Sequence, residues 1–298
     1  MHGSTPAEVL ARAPFSSATA KLPSGGGVFC LRPQGKHTNV LDAVQPICAD
    51  VRQLRLSIPQ HREKPALEAH QKQITVYSER TESMPVIYLP VVMGDGSEVY
   101  DRGRELDCPP FTLVTMGGLD WNRELSPWTC DGTVRDAEPF GGQAAGFLDE
   151  LLSQIIPQVE SSLPQPPAWH GIAGYSLAGL FALWVLWQTD TFDRAASASG
   201  SLWFPDFIDR ASTAPFAGSP QAVYLSLGKK ETKTPNRMMR HVLDDTRAME
   251  DLLIECGIPT TLELNPGNHF AQTDLRMARG IHWILTQSEP PLKRVVCS

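Results

Sequence analysis

The chain has 298 residues, 42% hydrophobic and 20% charged, with a formal net charge of −7. That length buries a sizeable core and fits a single domain, with or without an appendage. The acidic balance disfavours nucleic acid, which asks for a basic surface, and no apolar run reaches the roughly 18 residues a membrane span requires.

Residues 1 to about 27 are rich in Ala, Ser, Pro and Gly and read as a loose segment ahead of one α/β domain over 28–298. They lack the basic start and apolar stretch of a secretion signal. Cys30, Cys48, Cys108, Cys130, Cys256 and Cys297 are scattered without a CxxC pair, which reads as reduced thiols in a cytoplasmic protein rather than the disulfides of an exported one. From about 28 to 72 the pattern is mixed and suggests β structure with connections.

The pattern then sharpens. Ile74-Thr-Val-Tyr-Ser is β-rich, and the apolar run from Met84 to Val92 ends in the turn signal Gly94-Asp95-Gly96. Phe111 to Met116 closes on Gly117-Gly118. Trp169-His-Gly-Ile-Ala runs into Gly174, and further strands are expected at 194–200, 222–228 and 260–264. Continuous apolar strands bounded by glycine suggest a sheet covered on both faces. Between them, helical spacing appears from Phe147 to about Val159, in the nearly all-apolar stretch Leu177 to Gln188, and over 236–256 and 275–285. Strands alternating with helices imply a mainly parallel central sheet with helices on both faces, the α/β class.

Gly174-Tyr175-Ser176-Leu177-Ala178-Gly179 falls where a strand meets a helix. A nucleophile elbow needs that context, because a sharp turn lifts the serine hydroxyl above the sheet edge, and small residues two before and two after let strand and helix approach. The bland alternative is a serine capping a helix.

This run, continued through Phe192 and Ala196-Ser-Ala-Ser-Gly-Ser-Leu-Trp203 and joined by Pro266-Gly-Asn-His269, resembles the Putative esterase family. That family includes esterase D, the mycolyltransferase antigen proteins and the siderophore esterases that open enterobactin-type trilactones. The resemblance spans about Pro85 to Ile284. It implies an α/β-hydrolase fold acting on small-molecule esters with neither a metal nor an organic cofactor.

In that fold the triad runs Ser, acid, His along the chain. Among the histidines after Ser176, His241 and His282 fall in expected helices, whereas His269 occupies a loop after the last strand and is the expected base. Glu231, after the strand ending at Gly228, is the expected acid and matches the family's Gly-x-x-Glu segment. A solvated glutamate beside Lys229, Lys230 and Lys233 is the alternative, with Asp244 or Asp245 as other acids, and some siderophore esterases that this chain resembles work as Ser-His dyads. The backbone N–H of Leu177 is the expected first oxyanion donor. The family's second donor follows a strand that often runs into Asp-Gly; here Pro90 has no N–H, so Val91, or else Val92, is expected.

The segment Asp120 to Trp128 resembles the family's Arg and Ser-Pro region. Trp121, Trp128 and Trp203 are candidates for an aromatic substrate pocket, and Arg123 for meeting an anionic substrate, although tryptophans more often pack and Arg123 can pair with Asp120 or Glu124. Phe140-Gly141-Gly142 is a weak anion-site signal. No His and carboxylate spacing suits a metal. Ester hydrolysis is the leading expectation, with acyl transfer to another alcohol or a noncatalytic hydrolase-fold binding protein as the alternatives.

Overall fold

The computed structural model describes residues 52–57, 72–79, 82–132 and 137–288; the loose-segment expectation over 1–27, and Cys30, Cys48 and Cys297, lie outside the described residues. The first half contains β1 (Arg52–Ser57), β2 (Gln73–Ser78), β3 (Val86–Pro90), α1 (Ser97–Glu105), β4 (Thr112–Gly117) and α2 (Trp121–Glu124). A two-residue hairpin pair, β5 (Thr129–Cys130) and β6 (Phe140–Gly141), precedes α3 (Ala144–Glu150) and α4 (Ile156–Ser162). Then come β7 (His170–Tyr175), α5 (Leu177–Trp184), β8 (Arg194–Ala198), α6 (Phe207–Thr213), β9 (Ala222–Gly228), α7 (Val242–Glu255), β10 (Thr260–Asn265) and α8 (Thr273–Thr286).

Eight strands form one sheet in the order β1-β2-β4-β3-β7-β8-β9-β10, antiparallel at β1–β2 and β2–β4 and parallel from β4 onward. The α/β fold with a mainly parallel sheet is as the sequence indicated. Successive strand residues serve opposite faces: Val86 and Tyr88 enter one core cluster, Ile87 and Leu89 the other. The first cluster lies under α3 to α7, the second under α1 and α8. This two-sided burial explains why the strands read as unbroken apolar runs. α5 is buried along its whole length, because it packs between the sheet and the surrounding helices.

α3 and α4 form one continuous helical run joined by a π turn at Leu151–Ile155. Pro157 has no N–H to offer the carbonyl of Ser153, and the wider turn before it accommodates that loss.

The topology positions a site. From β3 the chain first moves outward to β4, then returns to place β7 on the other side of β3. The strand order therefore reverses between β3 and β7, and the carboxyl ends of strands at such a switch point form a natural crevice.

Among the described residues no helix is long and apolar enough to cross a membrane. Cys108 and Cys130 are free, but Cys256 is disulfide-bonded. This departs from the expectation of reduced thiols throughout, because pairing depends on which sulfurs meet in space rather than on their spacing in the chain.

Candidate active site

Ser176 sits between β7 and α5 with φ 60° and ψ −121°, a conformation costly for a residue with a Cβ. Its backbone is tied on both sides: its N–H donates to Ala198 O at 3.1 Å, and its carbonyl accepts from Ser201 N–H at 3.0 Å. A Cβ on Gly174 would meet Ala178 O at 2.0 Å, so the strand-to-helix turn closes only with glycine there. These are the features of a nucleophile elbow.

His269 lies on the loop after β10. Its Nε2 is 3.1 Å from Ser176 Oγ, and its Nδ1 is 2.8 Å from Glu231 Oε2. Glu231 Oε1 accepts from Gly228 N–H at 2.6 Å, from Ser199 Oγ–H at 2.6 Å and from an Arg276 guanidinium N–H at 3.1 Å. The Glu231 side chain is only 4% exposed. Burial pushes its carboxyl up, but the His269 hydrogen bond and charge, with the Ser199 and Gly228 donors, outweigh burial and hold it below the usual glutamate range. Asp244 and Asp245 instead lie in the first turn of α7. The structure thus brings Ser176, His269 and Glu231 together as one hydrogen-bonded chain.

Sequence reasoning missed three residues that support this chain. Arg276, 1% exposed, also binds Ser199 Oγ, donates to Tyr175 Oη at 2.8 Å and reaches Asn268 O at 3.4 Å. Tyr175 Oη–H in turn donates to the backbone carbonyl of His269 at 2.7 Å; burial pushes its phenol up to about 12, so it remains a donor. Ser199, at φ 46°, completes the group. One signal for Arg276 was available: it stands in phase with Gly280 and Ile284, on the face α8 turns to the core.

At the crevice, Leu177 is the first residue of α5, where backbone N–H groups have no helical acceptor. Val91 departs from the expectation. Its N–H donates to Met116 O at 2.9 Å, because the β3–β4 ladder continues one residue past Pro90. The next N–H along this loop belongs to Val92.

Of the expected pocket residues, Arg123, Trp128 and Trp203 gather around Phe140-Gly141 and Phe204, and Trp121 packs against the same core cluster. Trp121 opens α2, half-buried against the core. The Arg123 side chain is 51% exposed, with Asp120 at 3.6 Å, while Glu124 pairs with the buried Lys72 at 2.6 Å. Trp203 stands against Phe140, ring centroids 6.1 Å apart. Trp128 packs edge-on to Phe204 at 5.5 Å and lines a cavity of about 230 Å³ with Trp184, Trp187, Phe207 and Arg210. That cavity lies at the far end of α5, eight residues or about 12 Å of helix rise from Ser176. Among the described residues, none of Trp121, Arg123, Trp128 and Trp203 makes a hydrogen bond, ion pair or ring contact with Ser176 or His269. Gly142 N–H is occupied by Ser126 Oγ at 2.8 Å, which removes the Phe140-Gly141-Gly142 anion signal.

The family model described as Putative esterase matches residues 73–258, well over half of the chain. The Bacillus subtilis (strain 168) protein YbbA, itself uncharacterized, is 27% identical over 192 residues, 61% of this chain and 75% of that protein. The IroE-like serine hydrolase from Shewanella oneidensis superposes with a TM-score of 0.62 at 18% identity, covering 79% of this chain and 80% of its own. Siderophore hydrolase EstA from Aspergillus nidulans gives 0.58 at 17% identity, covering 84% and 99%. At these identities the two structures speak to the fold, and they share it.

Proposed function

The chain belongs to the Putative esterase family, and from that premise we propose that it hydrolyses carboxylic esters through an acyl intermediate on Ser176. The observation that carries this reading is His269 Nε2 at 3.1 Å from Ser176 Oγ, with Nδ1 held by Glu231 at 2.8 Å, on a strained elbow at the switch point.

In the proposed reaction, neutral His269 takes the proton from Ser176 Oγ as that oxygen attacks the ester carbonyl carbon. The carbonyl π electrons move to its oxygen, which the N–H groups of Leu177 and Val92 stabilise. Collapse breaks the bond to the alcohol oxygen, which leaves with the proton from His269. Water then repeats the sequence on the acyl-enzyme, with His269 as base and then acid, and frees the carboxylic acid. Glu231 keeps the imidazole in the tautomer with hydrogen on Nδ1 and offsets its charge once both nitrogens are protonated. The steps need neither a metal nor an organic cofactor. A small acyl ester or a siderophore-type lactone is the proposed substrate; the name of the Aspergillus nidulans hydrolase brings in the second.

Cys108 and Cys130 as free thiols fit the expected cytoplasmic location, whereas the disulfide at Cys256 fits an oxidising one. A thiol titration of protein prepared without reductant decides between them.

The test is turnover of p-nitrophenyl esters and one catecholate trilactone by wild type, Ser176→Ala and His269→Ala. Loss of about 10³-fold or more in both variants is expected. A wild type inert to every ester and to a fluorophosphonate probe would leave the noncatalytic binding protein in its place.

A further inference from the structure

Among the described residues, five large apolar side chains are exposed: Leu54, Val92, Met93, Ile254 and Phe270. Three of the five stand on the two loops that flank the Ser176–His269 pair. Val92 and Met93, 40% and 55% exposed, follow β3 directly beside the expected oxyanion N–H; Phe270, 49% exposed, follows His269. Its ring stands perpendicular to the imidazole, centroids 5.2 Å apart.

The two loops share one end of the sheet and are clasped together. They lead into α1 and α8, which pack on each other and are joined by Arg102 Nε to Asp274 Oδ2 at 2.9 Å. Of the carboxylates close to these loops, Asp274 pairs with Arg102, Asp95 accepts from Ser97 N–H at 3.2 Å and lies 3.4 Å from Arg55, and Glu98 accepts from Ser97 Oγ–H at 3.4 Å. Apolar side chains thus stand on both loops, Phe270 against the imidazole itself and Val92 and Met93 just past the end of β3, the strand paired with β7. Apolar side chains gathered in this way mark a surface that binds an apolar partner.

Resting on the esterase reading above, we propose that these side chains form a rim that selects esters whose acyl and alcohol parts are both apolar, and that the two loops divide the work. His269 must hand its proton to the leaving oxygen, so the alcohol lies against the imidazole and its neighbour Phe270. The carbonyl oxygen faces the Leu177 and Val92 N–H groups, so the acyl chain, on the same carbon, runs over Val92 and Met93.

A fully buried methylene changes a rate constant about fourfold, and a half-buried one about twofold. Across the four methylenes between acetate and hexanoate, a half-open rim gives about 16-fold in kcat/KM. The experiment measures kcat/KM for monomeric p-nitrophenyl acetate through hexanoate, and for methyl against benzyl butyrate, in wild type, Met93→Ser and Phe270→Ser. The expected result is a hexanoate-to-acetate ratio near 16 that falls to about 4 or less in Met93→Ser, with the benzyl preference lost selectively in Phe270→Ser. A wild-type series that is flat or falling, a slope unchanged by Met93→Ser, faster turnover of a catecholate trilactone than of any apolar ester, or activity that appears only on aggregated substrate would each overturn the proposal. Labelling of Ser176 by a fluorophosphonate tests the esterase reading separately, so a labelled enzyme with a flat series fails the rim alone.

Discussion

Replacing Glu231 by Gln keeps the shape of the side chain and removes one acceptor and the charge. Four donors converge on the two carboxylate oxygens: His269 on Oε2, and Gly228, Ser199 and Arg276 on Oε1. An amide has a single oxygen, and three of the four donors claim it, so its NH2 turns toward His269. The imidazole must then accept at Nδ1 and carry its hydrogen on Nε2, where it can no longer take the Ser176 proton. An inverted tautomer of this kind costs about 10⁴-fold in kcat, or about 5 kcal/mol. The same change leaves the buried Arg276 guanidinium without its counter-charge, which costs about 3–5 kcal/mol of stability and roughly 6–20 °C in Tm. The assay is kcat on p-nitrophenyl butyrate at 25 °C, on a Glu231→Gln variant whose near-UV circular dichroism matches wild type. A folded variant within tenfold of wild-type kcat would refute the reasoning and leave a Ser-His dyad.

The lowered Glu231 carboxyl also sets a pH dependence: its contribution to stability is complete above the ordinary glutamate value of about 4.3 and is lost as pH falls through the lower folded value. The Tm gap between wild type and Glu231→Gln should therefore shrink below about pH 4, and a gap undiminished at pH 2.5 contradicts this. Asp245 shifts the other way, pushed up to about 6 by burial, with Asp244 adding and His241 opposing. Its contribution is present below the ordinary aspartate value and lost as pH rises through 6, so Asp245→Asn should raise Tm at pH 7.5 and not at pH 3.5; no gain at pH 7.5 counts against it. Two glycines should respond oppositely to alanine. Gly174→Ala drives a Cβ to 2.0 Å from Ala178 O and should lose at least about 1–3 kcal/mol, whereas Gly146→Ala meets nothing within 4 Å in an exposed turn of α3 and should gain about 0.5–1 kcal/mol. Chemical denaturation of both variants checks the pair, and equal signs would sink it.

Sequence and structure agree where burial is one-sided in its message. β3, β4, β7, β8 and β9 read as strands because both of their faces are buried, and α5 as a helix because all of it is interior. β10 reads as a strand through its threonines and leucines, although it lies half-buried at the sheet edge. α1 left no such trace: only Tyr100 and Gly103 of its nine residues are buried. α2 and α6 are too short to show a period. In the site, Ser176, His269 and Glu231 were visible from chain order and local context. Val91 was misplaced because a ladder hydrogen bond one residue beyond a strand cannot be seen in a sequence. The placing of Trp128 at the far end of α5 was equally hidden, since its partners Phe204 and Trp184 lie far from it in the sequence. Ser199 vanished among the small residues of Ala-Ser-Ala-Ser-Gly.

Arg276 grips the carboxylate of one loop and, directly at Asn268 O and through Tyr175, the backbone of the other. Its own position is fixed by α8, so acid and base share a single mount. Tyr175 is also the last residue of β7, next to Ser176. The same guanidinium therefore ties acid, base and the nucleophile's own strand into one unit, and loosening that one side chain would slacken all three at once.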